Sequence, residues 1–255
     1  MFRTLDSDKI VATIDKLQQR ILERFSQLGL SRVCGELGQL ARENTARAAR
    51  LERPNWWLRL GIALTILASV VSIGWIAWLL RTKETKGDLF NTLQGIDAGV
   101  NLLVLMGATL FFFVSLETRG KRRRALADLH ELRSIIHVID MHQLTKDPTV
   151  FMDGATTMST SPHRTMTPFE LMRYLDYCSE MLSLVAKVAA LYAQSFTDAA
   201  LIDAVNDLER LTANLSQKIW QKITLVEALL RAQQADASRS PMAATGDQVS
   251  ATSRP

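Results

Sequence analysis

Two stretches without a single charge decide what this chain can become. The first, LGIALTILASVVSIGWIAWLL, runs from Leu60 to Leu80. The second, AGVNLLVLMGATLFFFVSL, runs from Ala98 to Leu116. As a helix rising about 1.5 Å per residue, each is long enough to cross a hydrocarbon core about 30 Å thick. Each is apolar on every face, whereas a helix on the surface of a soluble core keeps a polar side. The reading is two transmembrane helices, residues 56–80 and 98–118, joined by a short external loop, 81–97. Asn101 is the one strongly polar side chain of the second stretch. It lies a turn from the start and reads as an interfacial residue.

The flanks are consistent with that reading. Trp56, Trp57, Trp75 and Trp78 lie toward the ends of the first stretch, where indole rings anchor at a membrane interface. Arg42, Arg47, Arg50 and Arg53 precede it, with Arg59 at its mouth. Arg119, Lys121, Arg122, Arg123 and Arg124 follow the second stretch. The intervening loop balances Arg81, Lys83 and Lys86 with Glu84, Asp88 and Asp97. The positive-inside bias places both termini in the cytoplasm, and a bacterial inner membrane suits the arginine bias. The opening MFRTLDSDKI is polar and charged, unlike a cleavable signal peptide, so the first span is expected to serve as its own insertion signal. Basic residues crowded at span ends argue for the lipid bilayer, with anionic headgroups as a further partner, and against nucleic acid.

Outside the spans the chain reads as all-α. Residues 1–54 hold two cytoplasmic helices. Ile10, Ile14, Leu17, Ile21, Phe25 and Leu28 repeat at helical steps after a cap at Asp6 or Ser7, and Gly29 ends that helix. Val33, Leu37, Leu40 and Leu51 mark the second. Residues 119–143 extend the second span into the cytoplasm as one rod, and 144–166 form a Ser/Thr-rich linker. Over 167–232 a helical hairpin is expected, the first helix opened by Thr167, Pro168 and Glu170 as a capping box. Its second helix starts at Asp198, capped by Thr197 or Ser195. It carries a near-heptad, coiled-coil-like seam of Leu201, Val205, Leu208, Leu215, Ile219 and Val226, with Leu211 and Ile223 beside it. Residues 233–255 lack the apolar side chains to fold and read as disordered.

Three of the four histidines fall in HELRSIIHVIDMHQ, residues 130–143. On a helix His130, Arg133, His137 and Asp140 form a polar stripe beside Leu129, Leu132, Ile136 and Ile139. His142 points elsewhere. His130 and His137 lie two turns apart, roughly 10 Å along the axis, so they cannot ligate one metal without help from another helix or subunit. His137 and Asp140, three apart, can share a hydrogen bond. The stripe therefore reads as the satisfied polar side of a packed helix. A metal, proton-sensing or catalytic role for His130, His137 and Asp140 ranks last. The chain has no Gly-rich phosphate loop, CxxC, HExxH or GxSxG. No enzyme, cofactor or resident metal is expected. Cys34 and Cys178 show no metal-type spacing and are expected to be reduced and unpaired.

These features point to a membrane-anchored scaffold or sensor that associates with itself or with a protein partner. The alternative is a subunit of an oligomeric pore, since Gly95, Gly99 and Gly107 line one face of the second span with small residues. The layout of two spans with flanking cytoplasmic helices resembles the two-span effector modules predicted in bacterial defence systems, a likeness of architecture alone.

Overall fold

Every regular element is a helix among the residues that the computed structural model describes, 4–25, 29–52, 56–82, 89–146, 148 and 166–239. The order is α1 (Ser7–Arg24), α2 (Leu30–Glu52), α3 (Trp56–Thr82), α4 (Leu89–Leu144), α5 (Pro168–Ser195) and α6 (Ala199–Arg239). The chain divides into two units. One holds residues 1–46 and 128–255, the other 47–127.

In the first unit α5 is buried around most of its circumference, from Leu171 to Tyr192. An α-helix so apolar must be central. Its amino terminus is the expected one: Thr167 Oγ1 accepts from Glu170 N at 3.2 Å, and Glu170 Oε2 accepts from Thr167 N at 2.8 Å. α6 packs along α5 after a three-residue connection, which makes the pair an antiparallel hairpin. Asp198 ends the connection and caps α6 by accepting from Leu201 N at 3.2 Å. The expected caps, Thr197 or Ser195, do not supply this bond. Leu201, Val205, Leu208, Leu215, Ile219 and Val226 are all buried. The heptad-like seam is thus occupied within the chain rather than presented to a second copy. α6 also continues to Arg239, seven residues past the expected boundary, while 240–255 lie outside the described residues.

α1 lies against α5. Asp6 is its cap, accepting from Asp8 N and Lys9 N, and Ile10, Ile14, Leu17 and Ile21 are its buried face. Phe25 meets Tyr174 and Tyr177 edge-on, with ring centres 5.7 and 6.1 Å away. Arg20 pairs with Glu180 and lies over the Tyr177 ring. α4 contributes Leu129, Leu132, Ile136 and Ile139 to the buried set, as its periodicity requires. The helix expected to end near Gly29 stops at Arg24, and Leu28 lies outside the described residues.

The second unit contains α3 and the first part of α4. Among the described residues two helices are long and apolar enough to cross a membrane, Arg59–Trp78 and the apolar part of the stretch beginning at Asp97. Almost nothing in either stretch is buried within the chain. That separates them from the core helix of a soluble protein, which passes the same length test but hides its side chains. Gly61 faces Phe113, with 3.7 Å from its Cβ position to the ring. Thr65, Ser69 and Ser72 share a groove with Leu102, Met106 and Thr109. The hydroxyls of Thr65, Ser69 and Thr109 each donate to the carbonyl four residues back, at 2.8–2.9 Å, which removes the cost of an unpaired donor in apolar surroundings. One expected boundary moves. α4 already begins at Leu89, within the expected 81–97 loop, of which 83–88 lie outside the described residues. Gly120 does not interrupt α4. Most of the 144–166 linker is likewise outside the described residues.

Candidate functional site

The histidine stretch occupies the last turns of α4, and its inward residue is not one the stripe singled out. His130 and His137 are exposed. Each follows a buried residue, Leu129 or Ile136, by one position, which is 100° around the axis and off the packed face. The expected packed polar network therefore does not include these two side chains. Asp140 is half-buried and accepts from Gln143 Nε2 at 2.6 Å. Among the described residues no three of His, Cys, Asp and Glu gather around one point.

His142 instead lies three residues beyond Ile139 and seven beyond Ile135, the spacing of the buried face. Its Nδ1 sits 3.2 Å from Tyr174 Oη. The far side of the ring lies 3.1 Å from where a Cβ on Gly29 would be, so an alanine there would press on the imidazole. Burial raises the Tyr174 phenol well above its usual range, so the phenol keeps its proton and shares one hydrogen bond with the imidazole nitrogen. Lys146 lies over the Tyr174 ring, 5.1 Å from its centre. Burial, and then the Lys146 ammonium, hold the His142 pKa below its ordinary 6.5. Burial also lowers that of Lys146.

The sign of the resulting pH effect is determined. A histidine whose folded pKa is depressed stabilises the fold above its unfolded pKa and loses that contribution as pH falls through the folded value. Stability of the wild type is therefore expected to decline from about pH 6.5 downward, before carboxylates begin to protonate. His142→Gln should flatten that decline. Thermal unfolding of the full chain at pH 7.5, 6.5 and 5.5 measures it, and identical slopes for the two proteins would refute it.

Beside His142 the carboxyl end of α4 is closed by a lysine from α6. Lys222 Nζ donates to Gln143 O at 2.9 Å, to Gln143 Oε1 at 2.8 Å and to Lys146 O at 3.3 Å. A helix end carries unpaired carbonyls and a partial negative charge, and an ammonium satisfies both. Asp140, Gln143 and Lys222 thereby form one hydrogen-bonded chain. Lys222→Met keeps the length of the side chain and removes the donors. It should cost about 1.5–3 kcal/mol, the range for hydrogen bonds to a charged group, read as a lowered unfolding temperature. An unchanged one would show that the clamp contributes nothing.

A second polar cluster centres on buried Asn44 and Tyr192 and reaches half-buried Asp128. Tyr192 Oη lies 2.6 Å from Asn44 Oδ1 and 3.0 Å from Asp128 Oδ2. One phenolic proton cannot serve two acceptors, and Asn44 Nδ2 has no partner. Turning the amide over resolves both points: Nδ2 donates to Tyr192, which donates to Asp128. The atom then left over is a carbonyl oxygen, a smaller cost than a buried N–H. The cysteines carry no reactive chemistry. Cys34 and Cys178 are buried and unpaired, and burial pushes each thiol up to about 12.

The residues named as interfacial anchors belong to the other unit. Trp56, Trp57, Trp75 and Trp78 all project outward, Trp57 with 79% of its surface exposed. Trp75 and Trp78 lie side by side with tilted rings, their centres 5.6 Å apart. Arg59, Arg119, Arg123 and Arg124 are exposed, Arg122 is half-exposed, and Lys121 pairs with Glu117 at 3.2 Å.

Sequence reasoning missed Lys222, Tyr192 and Asn44 as participants. The signal was present: Lys222 interrupts Ile219, Ile223 and Val226 on the inward face of α6. Asn44 interrupts Leu37, Ala41, Ala48 and Leu51 on that of α2. No protein-family model, no curated protein and no solved structure matches this chain.

Proposed function

We propose that this protein is a membrane-anchored helical scaffold or sensor whose two spans cross a plasma membrane as an antiparallel pair, with both termini cytoplasmic. The observation that carries the reading is the exposure of the spans. A row of large apolar side chains open on every side needs lipid or protein around it. The pairing order of Gly61 with Phe113 and of Thr65, Ser69 and Ser72 with Thr109, Met106 and Leu102 is that of antiparallel neighbours. Trp57 and Trp78 are about 31 Å apart at 1.5 Å per residue, which matches two interfacial belts on a core about 30 Å thick. The arginines gather at one end, which favours that end as cytoplasmic. A bacterial inner membrane remains the compartment that best suits them. α4 supplies residues to both units, so a partner that shifts the carboxyl half of α4 acts on the same helix that spans the bilayer. The polar face of the helical unit, including His130 and His137, is then the surface offered to a partner.

A specific observation also favours the pore reading. Nothing among the described residues lies within 4 Å of a Cβ built at Gly95, Gly99 or Gly107. Among the described residues these glycines meet no neighbour, so their face is open to another copy. The protein mass of the detergent-purified complex separates the readings. A monomer or dimer supports the scaffold or sensor. A discrete assembly of four or more copies that passes ions across liposomes supports the pore, because two spans cannot enclose a channel alone.

A further inference from the structure

We infer that α4 carries a binding site for one anionic phospholipid, its phosphate held by Arg119 and Arg123 and an acyl chain laid along Leu105, Phe112 and Leu116. This rests on the membrane reading above and deepens it.

At 100° per residue these five side chains fall within a strip about 60° wide on one face of α4. All five are exposed. Leu105 to Leu116 spans roughly 16 Å of helix, about the reach of one acyl chain in a leaflet that is half of a 30 Å core. Arg119 and Arg123 sit one turn apart directly above it. Glu117 is the nearest carboxylate in the chain sequence, and it is engaged with Lys121 at 3.2 Å. Among the described residues Arg119 and Arg123 themselves carry no ion pair. Guanidinium also suits phosphate better than ammonium does, because its planar fork makes two parallel hydrogen bonds. Among the described residues the opposite end of the spans offers no counterpart: Arg81 and Asp97 balance there, and Asp97 faces Asn101 at 3.4 Å. A zwitterionic lipid meets the same apolar strip, but its own cation competes for the phosphate. Anionic lipid is the better match in charge.

The test uses the full chain purified in a mild neutral detergent. Thermal unfolding is followed during titration with phosphatidylglycerol, with phosphatidylcholine of the same acyl chains, and with inorganic phosphate. The expected result is stabilisation by phosphatidylglycerol at a lipid concentration at least tenfold below that needed for phosphatidylcholine, weakened by salt. Arg119→Gln/Arg123→Gln should lose that preference at least tenfold, and Arg124→Gln, on another face, should retain it. Equal action of the two lipids, or a double variant with wild-type preference, overturns the lipid site. So does full reproduction of the shift by inorganic phosphate, which would mark a simple anion site. The membrane reading is checked separately on the same preparation. A chain that stays in the soluble fraction after reconstitution with liposomes of either lipid contradicts the spans themselves.

Discussion

Val70→Arg is expected to deplete the protein from alkali-resistant membranes, whereas Val138→Arg leaves it there. Both valines are exposed, Val70 at 62% and Val138 at 37%, and both lie inside helices. In water neither change would matter by more than about 0.5 kcal/mol. Val70, however, falls at the middle of the Leu60–Leu80 stretch, where a central arginine costs about 2.5–3.5 kcal/mol for insertion. That corresponds to a shift of about a hundredfold in the partition of the helix. Val138 belongs to the part of α4 beyond the basic cluster and meets no hydrocarbon in this account. Cell fractionation with alkaline extraction reads both variants. Equal recovery of the two in the membrane pellet would mean that Val70 does not face lipid.

The second large effect concerns the helical unit. Leu132→Ala should lower stability by about 2–5 kcal/mol, the range for deleting a fully buried leucine side chain. For a unit of this size that is a fall of roughly 5–15 °C in unfolding temperature. Leu132 is completely buried on α4, while Met141 on the same helix is 66% exposed. Met141→Ala should therefore change the temperature little. The contrast tests whether the carboxyl half of α4 is built into the helical core on the face its periodicity predicts. A similar effect at both positions would contradict that orientation.

What was legible in the sequence follows from how each feature announces itself. Uncharged runs and helical periodicity are local, so α3, the apolar part of α4 and the buried face of α1 could be read directly. The capping box at Thr167 was legible because its three residue types act within one turn. The α2 seam was only partly legible, because it runs through Cys34, Ala41, Asn44 and Ala48, residues too small or polar to stand out as a stripe. The histidine stretch was found but its inward member was not. His142 was judged by its distance from the other histidines, when its distance from Ile135 and Ile139 decides burial. Lys222 and Tyr192 act across the chain, 79 residues from Gln143 and 148 from Asn44. Tertiary packing sets such pairings: a polar residue that interrupts an inward face can be read locally, but no spacing names its partner. The heptad-like seam of α6 was legible as an apolar stripe, but periodicity does not say whether the covering helix comes from the same chain. Here it is α5.

The central claim is that two helices cross a membrane and leave both ends on the same side, and the chain's own chemistry makes it directly measurable. Cys34 and Cys178 are buried, with thiols held protonated at about 12, so a membrane-impermeant maleimide should ignore them. A single new cysteine at Gly87→Cys, between the spans, and in a separate protein at Ser250→Cys, near the carboxyl terminus, then reports its side of the membrane. In intact cells Gly87→Cys is expected to be labelled, and Ser250→Cys only after the cells are opened. Labelling of Ser250→Cys in intact cells, or protection of Gly87→Cys there, would contradict the account.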